Sequence, residues 1–577
     1  MGTVSSAKCA ARRPRLACAL MPEPTRPDRA APPRMTSYDE ARGSFHLEVP
    51  ERFNPVIDIV ERWSAEAPDD VALVSLGADG ELVAEHTTAA LAAESRRAAR
   101  ALLDLGVKPG DPVFIMLPRV PAWYAAMLGA IRIGAVAMPG PNQLTSRDIS
   151  YRIRSADAVV AITDDIGAPK LDAIEDDLPS LRYRVSWNAG ARPGWDDFDA
   201  MLDAAGDGEV PVSPTSRDDP MLLFFTSGTV SYPKMVRHSA SYGLGHVSTA
   251  RFWHDLRAGD RHWTVSDTGW AKAAWGGLFG QWHERATVVQ VALGKPDADT
   301  ILRTIGAAGI TSFCAPPTLY RLLVQADLSS YDLSGLRHCT SAGEPLNPEV
   351  IRAWKDGTGG LTVYDGYGQS ETTVLVANYR AVEVRPGSMG KPVPGWDVEV
   401  IGEDGGRAED GLVGEVAVRV GDPRPVGLFE GYYRDPEANA TAFRDGWYFT
   451  GDKAARDPDG YFWFEGRNDD VITSSAYRIG PFEVESALVE HAAVVEAAVV
   501  GKDDPERTQI VTAFVILAAG HEPSDDLAAD LQRHVRELTA PYKYPREIHF
   551  VDELPKTVSG KIRRSELRER LRAGQSA

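Results

Sequence analysis

The sequence predicts an α/β protein, with a large N-terminal domain of layered sheets and helices followed by a small α+β C-terminal domain. Three observations carry this expectation. From about residue 50, amphipathic stretches of helix length alternate with short apolar runs. Several of those runs end in small polar residues, as parallel strands do where they deliver loops to a site. After about residue 395 the pattern changes to period-two alternation, and a further unit of roughly 110 residues, enough to fold as a satellite, begins near Asp469.

Taken in order, FNPVIDIVERWSAEAPDDVALV reads as a helix and then a strand. TAALAAESRRAARALLDLGV is a second helix, ended by Gly106, and DPVFIMLP is a buried strand. WYAAMLGAIRIGAVAMPGP repeats the helix-to-strand step. MLLFFTSGT, TSFCAP and LRHCTSAGE are apolar runs that open into polar loops. WDVEVIGEDG and GEVAVRVG alternate with period two around a Gly/Asp/Glu-rich turn, which predicts antiparallel pairing. The last unit holds YRIGPFEVESALVEH, VVEAAVVG, TAFVILAAG, the helix DDLAADLQRHVRELTA and REIHFVDELP. The expected division is therefore an extension over 1–49, a large domain over 50–467 and a small domain over 468–577.

Composition bounds the function. The chain has 577 residues, 43% apolar and 25% charged, which is ordinary for a globular chain with a sizeable core. A net charge of -20 argues against a bulk nucleic-acid binder. No apolar run is long enough to span a bilayer. The four cysteines, at 9, 18, 314 and 339, have no metal-like spacing, so a reducing, cytoplasmic setting is expected. Residues 1–34 carry seven basic and two acidic residues and many Ala and Pro. A disordered extension is expected there. The alternatives are a targeting segment and a true start at Met35.

Four segments carry candidate chemistry. In LLFFTSGTVSYPKMVRHS an apolar strand runs into Thr226, Ser227, Gly228 and Thr229, and Lys234 closes the loop. Hydroxyls, amides and one lysine suit phosphate oxygens, although the loop lacks the Walker spacing and a polar surface turn has the same composition. Tyr367-Gly368-Gln369-Ser370-Glu371 offers a ring, a hydroxyl and a carboxylate. Glu371 is either a Mg²⁺ ligand or a first-turn acid at a strand-to-helix junction capped by Ser370. Asp452 and Arg467 each follow a turn glycine, as a solvated hairpin pair also would. Lys561 follows Gly560 before a basic helix. With 13 lysines against 49 arginines, a lysine in such a loop is informative.

These segments, with SDTGWAKAAWG at 266–276, SSAYRIGPFEVESALVEH at 474–491 and APYKYPREIHFVDELPKTVSGKIRR at 540–564, resemble the adenylate-forming superfamily in order along about 500 residues. The medium-chain acyl-CoA synthetase branch is the most similar. The resemblance implies a large adenylate-forming domain, a mobile C-terminal domain, and ATP, Mg²⁺ and coenzyme A as cofactors. It implies that Lys561, Lys234 and Glu371 are catalytic, with Glu371 on the metal. It assigns Thr226, Ser227, Gly228, Thr229, Gly343, Glu344, Pro345, Asp365, Gly366, Tyr367, Gly368, Ser370, Asp452 and Arg467 to the nucleotide. Asp469 is the implied hinge. Ala476 and Tyr477 would flank the pantetheine passage, Arg478 the adenylate phosphate, and Arg507, Arg536 and Tyr544 the nucleotide end of CoA. Trp270, Gly276 and Gly277 would bound the acyl group, leaving room for a fatty, aryl or bulky apolar acid.

Two departures stand out. Val230, Ser231 and Tyr232 replace the small residue and glycine usual after the threonine, and Ala476 replaces a glycine. A β-branched residue stiffens a loop that glycine would let approach phosphates. Two readings follow: a ligase that makes acyl-CoA through an acyl-adenylate, and an enzyme that thioesterifies a preformed adenylate. A carrier-protein thiol as acceptor and a homodimer are further options.

Overall fold

A computed structural model describes residues 31–190, 192–208, 210–211, 214–226, 233–294, 296–467, 470–474, 477–505, 507–557 and 561–573. Two largely parallel sheets form the body. The nine-stranded sheet runs, in spatial order, Lys391–Pro392, Val374–Ala377, Val363–Gly368, His338–Ala342, Ser312–Ala315, Arg261–Thr264, Thr287–Val291, Val71–Leu76 and Leu82–Thr87. The eight-stranded sheet runs Gly431–Tyr432, Met235–Ser239, Pro220–Phe225, Val136–Pro139, Pro112–Met116, Val160–Thr163, Tyr183–Ser186 and Asp196–Asp197. Antiparallel strands occur only towards the edges of both.

The helices that cover these sheets form for local reasons. Thr87 caps Thr88–Asp104 by accepting from the Ala90 amide, and Gly106 takes φ +77 just beyond its end. Pro121 opens Pro121–Arg132, where its missing N–H costs nothing. The two helices meet at Gly129, where a Cβ would stand 2.6 Å from that of Ala98. A third, antiparallel sheet contains Val398–Ile401, Val413–Arg419, Phe443–Arg444, Trp447–Arg456 and Phe462–Arg467, and the predicted pair registers Val398 on Val418.

The last unit has its own sheet, Tyr477–Ile479, Ile472–Ser474, Thr508–Leu517, Val494–Asp504 and Glu547–Phe550. Its apolar clusters draw only on residues from Ile472 onward.

One expectation needs correction. Residues 31–49 belong to the folded body. Tyr38–Ser44 is a helix, Met35 is buried, and the Arg34 amide donates to Asp255 at 2.6 Å. Proline richness discouraged a continuous helix upstream but did not extend to this segment; residues 1–30 lie outside the described set.

A buried ion cluster ties that segment to the large sheet. Arg337, just before the strand His338–Ala342, donates to Asp255 Oδ2 at 2.6 Å and Asp260 Oδ2 at 2.7 Å, and Arg380 adds 3.0 Å to Asp255. Burial pushes the Asp255 carboxyl up, but His338, the Arg34 amide, Arg337 and Arg380 together hold it below its ordinary value. Arg337→Met should lower stability by roughly 3–5 kcal/mol, since it leaves buried carboxylates without their partner. Calorimetric unfolding will read this as a fall in Tm. A depressed carboxyl contributes stability above its unfolded pKa and loses it as pH falls through the folded one, so the gap between wild type and variant should shrink on acidification.

Candidate active site

The site lies where the carboxyl ends of the two large sheets face each other. Pro220–Phe225 delivers Thr226 to the mouth, and the chain returns as Met235–Ser239. Two bonds close the neck of this loop: the Thr226 amide donates to the Lys234 carbonyl at 3.0 Å, and the Lys234 amide donates to Thr226 Oγ1 at 3.0 Å. Ser227, Gly228, Thr229 and the departures Val230, Ser231 and Tyr232 lie outside the described residues. The Lys234 ammonium stands 4.6 Å from the centroid of the Tyr432 ring.

Tyr432 comes from the short edge strand Gly431–Tyr432, registered against Val236. Its hydroxyl donates to Glu371 Oε1 at 2.9 Å, so one side chain meets both the loop lysine and the candidate metal ligand. The Glu371 stretch follows Val363–Gly368, but the chain turns back into the antiparallel strand Val374–Ala377. The strand-to-helix alternative for YGQSE is thereby corrected: Gly368 leads into a hairpin, with its Cα so near the Thr373 carbonyl that a Cβ would sit 2.3 Å from that oxygen. His238 Nε2 donates to the Ser370 carbonyl at 2.7 Å and links the two sheets at this point. Burial pushes the His238 imidazole down to about 3, so it acts as a neutral donor.

Glu371 is 8% exposed, and burial raises its carboxyl, with the Tyr432 bond opposing. Among the described residues no ion pair holds it and no group of three ligating side chains forms a metal cage. One buried carboxylate without a cation fits Mg²⁺ in the manner usual for that ion, through one protein oxygen plus water and substrate phosphates.

Asp452 faces the same mouth and is 7% exposed. Tyr367 Oη and Gln369 Nε2 donate to its Oδ2 at 2.7 and 2.6 Å. Arg467, its cross-strand neighbour, stands 3.8 Å from Oδ1. The solvated-pair alternative is therefore corrected for the acid. Burial raises Asp452, while Arg467, Tyr367, Gln369 and Lys561 lower it. Asp365 is raised to about 7, chiefly by burial, and accepts from the Gly366 amide at 3.0 Å. Gly366 is required by contact: a Cβ there would sit 2.5 Å from the Trp253 indole. Gly343 takes φ +112 with open space beside it, and Glu344 pairs with Arg321 at 3.5 Å before Pro345.

Lys272 completes the cluster. Its ammonium donates to the Ala342 carbonyl at 2.8 Å, at the start of the Gly343 turn. Burial lowers its basicity, Cys314 and Glu344 oppose, and the Lys561 charge lowers it further. Lys561 is exposed on a loop closed by Thr557, whose amide donates to the Lys561 carbonyl at 2.7 Å. Its charge thus reaches both Lys272 and Asp452 from the C-terminal unit. That unit touches the body through Asn347 Nδ2, 3.0 Å from Ser486 Oγ.

Other expected positions stand apart. Tyr477 is half-exposed and stacks on Tyr542 at 3.9 Å. Arg536 and Arg546 both lie over the Tyr544 ring, at 4.1 and 4.4 Å, whereas the Arg507 amide bonds Asp504. Asp469, Ala476 and the Arg478 side chain lie outside the described residues. Trp270 caps the helix Ala271–Gly277. A Cβ at Gly276 would stand 1.8 Å from Thr264 Oγ1, so the glycine is required by close packing against Thr264. Sequence reasoning missed Tyr432, Gln369, His238 and Lys272. Of these, Lys272 had a signal, being one of few lysines and lying inside SDTGWAKAAWG.

Family models match the chain twice: an AMP-binding enzyme model over residues 60–433 and an AMP-binding enzyme C-terminal domain model over 483–561. The mitochondrial acyl-coenzyme A synthetase ACSM3 of Mus musculus is 42% identical over 550 residues, covering 94% of this chain and 94% of that protein. The mitochondrial acyl-coenzyme A synthetase ACSM5 of Mus musculus is 45% identical over 554 residues, covering 94% and 95%. Among solved structures, the anthranilate CoA ligase AuaEII with anthranoyl-AMP matches with TM-score 0.84 and 30% identity over 92% of this chain and 99% of that one. A Brucella canis acyl-CoA synthetase matches with TM-score 0.71 and 35% identity over 94% and 100%.

Tyr432→Phe keeps the ring beneath Lys234 and removes the donor from Glu371. The buried carboxyl should then rise further and compete less well for a cation. Mn²⁺ binding in the presence of ATP, followed by electron paramagnetic resonance, should weaken roughly 10-fold, with its acid limit moved to higher pH.

Proposed function

The chain belongs to the AMP-binding enzyme family, and we propose that it is an AMP-forming acyl-CoA synthetase that joins a carboxylic acid to coenzyme A through an acyl-adenylate. The observation that carries this reading is one mouth in which Tyr432 meets both Glu371 and Lys234 and in which Asp452 is buried against Tyr367 and Gln369. A carboxylate oxygen attacks the α-phosphorus of ATP and pyrophosphate leaves. The acid is already ionised near neutral pH, so no base is required. Lys561 would stabilise the charge that gathers on the phosphoryl oxygens, and Thr226 and Lys234 would hold the leaving phosphates. Asp452 would accept from the ribose hydroxyls. Mg²⁺ on Glu371 would neutralise phosphate charge when bound. The CoA thiol then attacks the acyl carbonyl, the C–O bond to phosphate breaks, and AMP leaves.

The two steps need different neighbours, so the reading includes a large domain over 50–467, a mobile domain over 468–577 and a hinge at Asp469. A carrier-protein thiol in place of CoA, a homodimer and a cytoplasmic location are proposed as its finer points; among the described residues no helix is long and apolar enough to cross a membrane. Val230 and Ser231 favour a second reading, in which adenylation is weak and the enzyme chiefly thioesterifies a supplied adenylate.

Acid-dependent pyrophosphate release and conversion of supplied acyl-adenylate with CoA, measured side by side, separate the two readings. Lys561→Ala should reduce the first by about 100-fold or more and spare the second far better. Unchanged pyrophosphate release would overturn the assigned role. Val230→Ser with Ser231→Gly should raise the first half-reaction selectively if the loop limits it, whereas a strong parent rate and no gain would remove the second reading.

A further inference from the structure

The acyl side of the site has an unassigned donor. In the helix Ala271–Gly277, Lys272 bonds the Ala342 carbonyl, and Ala273, Gly276 and Gly277 line a cavity of ≈ 30 Å³. Arg119, Trp123, Tyr124, Thr264 and Gln290 form much of the remaining wall. Such a volume takes about two water-sized groups, so it suits the tip of a small substituent and not a bulky ring system.

Among the described residues the polar groups of this wall are engaged, with two exceptions, the Trp123 indole N–H and the Tyr124 hydroxyl. Arg119 donates to the Ser266 carbonyl at 2.6 Å and to the Leu293 carbonyl at 3.2 Å. Gln290 Nε2 donates to Ser75 Oγ at 2.7 Å, and Thr264 Oγ1 meets His262 Nε2 at 2.8 Å. Tyr124 is 5% exposed, its ring held edge-on to Trp123 at 4.9 Å and against Trp282 at 5.9 Å. Its hydroxyl has no protein partner among the described residues, and a Cβ at Gly277 would stand 3.3 Å from it. Burial pushes the phenol far above its ordinary value, with Arg119 opposing, so it stays a neutral donor. The buried Arg119 charge nearby disfavours a cationic substituent and favours an acceptor.

We propose that Tyr124 donates a hydrogen bond to an oxygen on the far end of the acyl group, which makes hydroxy- and oxo-substituted acids the preferred substrates over their hydrocarbon counterparts. A buried donor left unpaired by a hydrocarbon substrate carries a penalty that an acceptor removes. The inference rests on the acyl-CoA synthetase reading, and it narrows the expected apolar acid to one with a polar tip.

Matched acids test it: benzoate against 3- and 4-hydroxybenzoate, and hexanoate against 5-oxohexanoate. Pyrophosphate release gives kcat/KM for each, and calorimetry gives Kd for each acid without turnover. The oxygenated member of at least one pair should be preferred about 10-fold. Tyr124→Phe should bring that ratio close to one, and Gly277→Ala, which crowds the hydroxyl, should weaken the oxygenated acid more than its partner. Parity or hydrocarbon preference in both series overturns the inference, as does a preference that persists in Tyr124→Phe. Absence of pyrophosphate release with every acid overturns the synthetase reading instead, and the calorimetric ratios then decide the inference alone. If Tyr124→Phe does not fold, the wild-type and Gly277→Ala ratios decide it.

Discussion

Two carboxylates withdrawn from water in one mouth set the terms for everything around them. Burial raises both Glu371 and Asp452, and the Asp452 charge raises Glu371 further. Keeping them ionised requires donors and cations from outside their own strands. Tyr367 and Gln369 supply neutral donors to Asp452, and Tyr432 supplies one to Glu371. The cations lie at the edges: Arg467 is half-exposed, and Lys561 arrives on a separate unit. A pocket so arranged is electrostatically incomplete when empty. It is suited to a metal-bound triphosphate, which brings its own cation together with its anionic oxygens.

The path by which Lys561 reaches that mouth is built from a second set of charges. Arg564, three residues on, donates to both oxygens of Glu485, and Arg568 bonds Asp470 at 2.7 Å. The basic helix Arg564–Arg572 is therefore fastened to the residue that follows the proposed hinge. Rotation about Asp469 would carry the lysine loop as a body, because the ties lie inside the C-terminal unit. Across the boundary the Asn347 side chain donates to Ser486 Oγ at 3.0 Å. Mutual repulsion of Lys272 and Lys561 also opposes tight closure without an anion between them. Closure of the proposed mobile domain would thus be coupled to ligand charge, in the sense that a conformation is favoured by what binds it better.

Much of this was legible in the sequence, and the limits have physical reasons. Strands were readable because fully buried parallel strands are continuous apolar runs, as in Pro220–Phe225, and because apolar and polar residues largely alternate in the outer antiparallel pair. The functional segments were readable where residues close in sequence act together, as in 367–371. Tyr432 was not, since its role depends on an edge strand that pairs across a long connection with Met235–Ser239. Gln369 and His238 were hidden in the same way, the first by bonding Asp452 from a different sheet and the second by facing a backbone carbonyl. At Gly276 the missing side chain also has a packing reason that the sequence does not show, since Thr264 stands against it. The segment 31–49 was misread because composition near a terminus does not reveal a buried ion cluster that captures it.

The altered phosphate loop can be divided on the same grounds. Its neck is held by reciprocal bonds between Thr226 and Lys234, and the lysine head rests on the Tyr432 ring. Lys234 is held by the neck and by Tyr432. Loss of glycine at the tip bears on how closely amides can approach phosphate oxygens, which is a matter of backbone freedom. A defect confined to the tip should weaken the hold on the leaving phosphates and leave the acyl pocket, the ribose acid and the CoA step intact. That separation is why an enzyme with this loop can lose speed in its first step alone. It is also why the retained Glu371, Asp452 and Lys561 do not by themselves decide how fast that step runs.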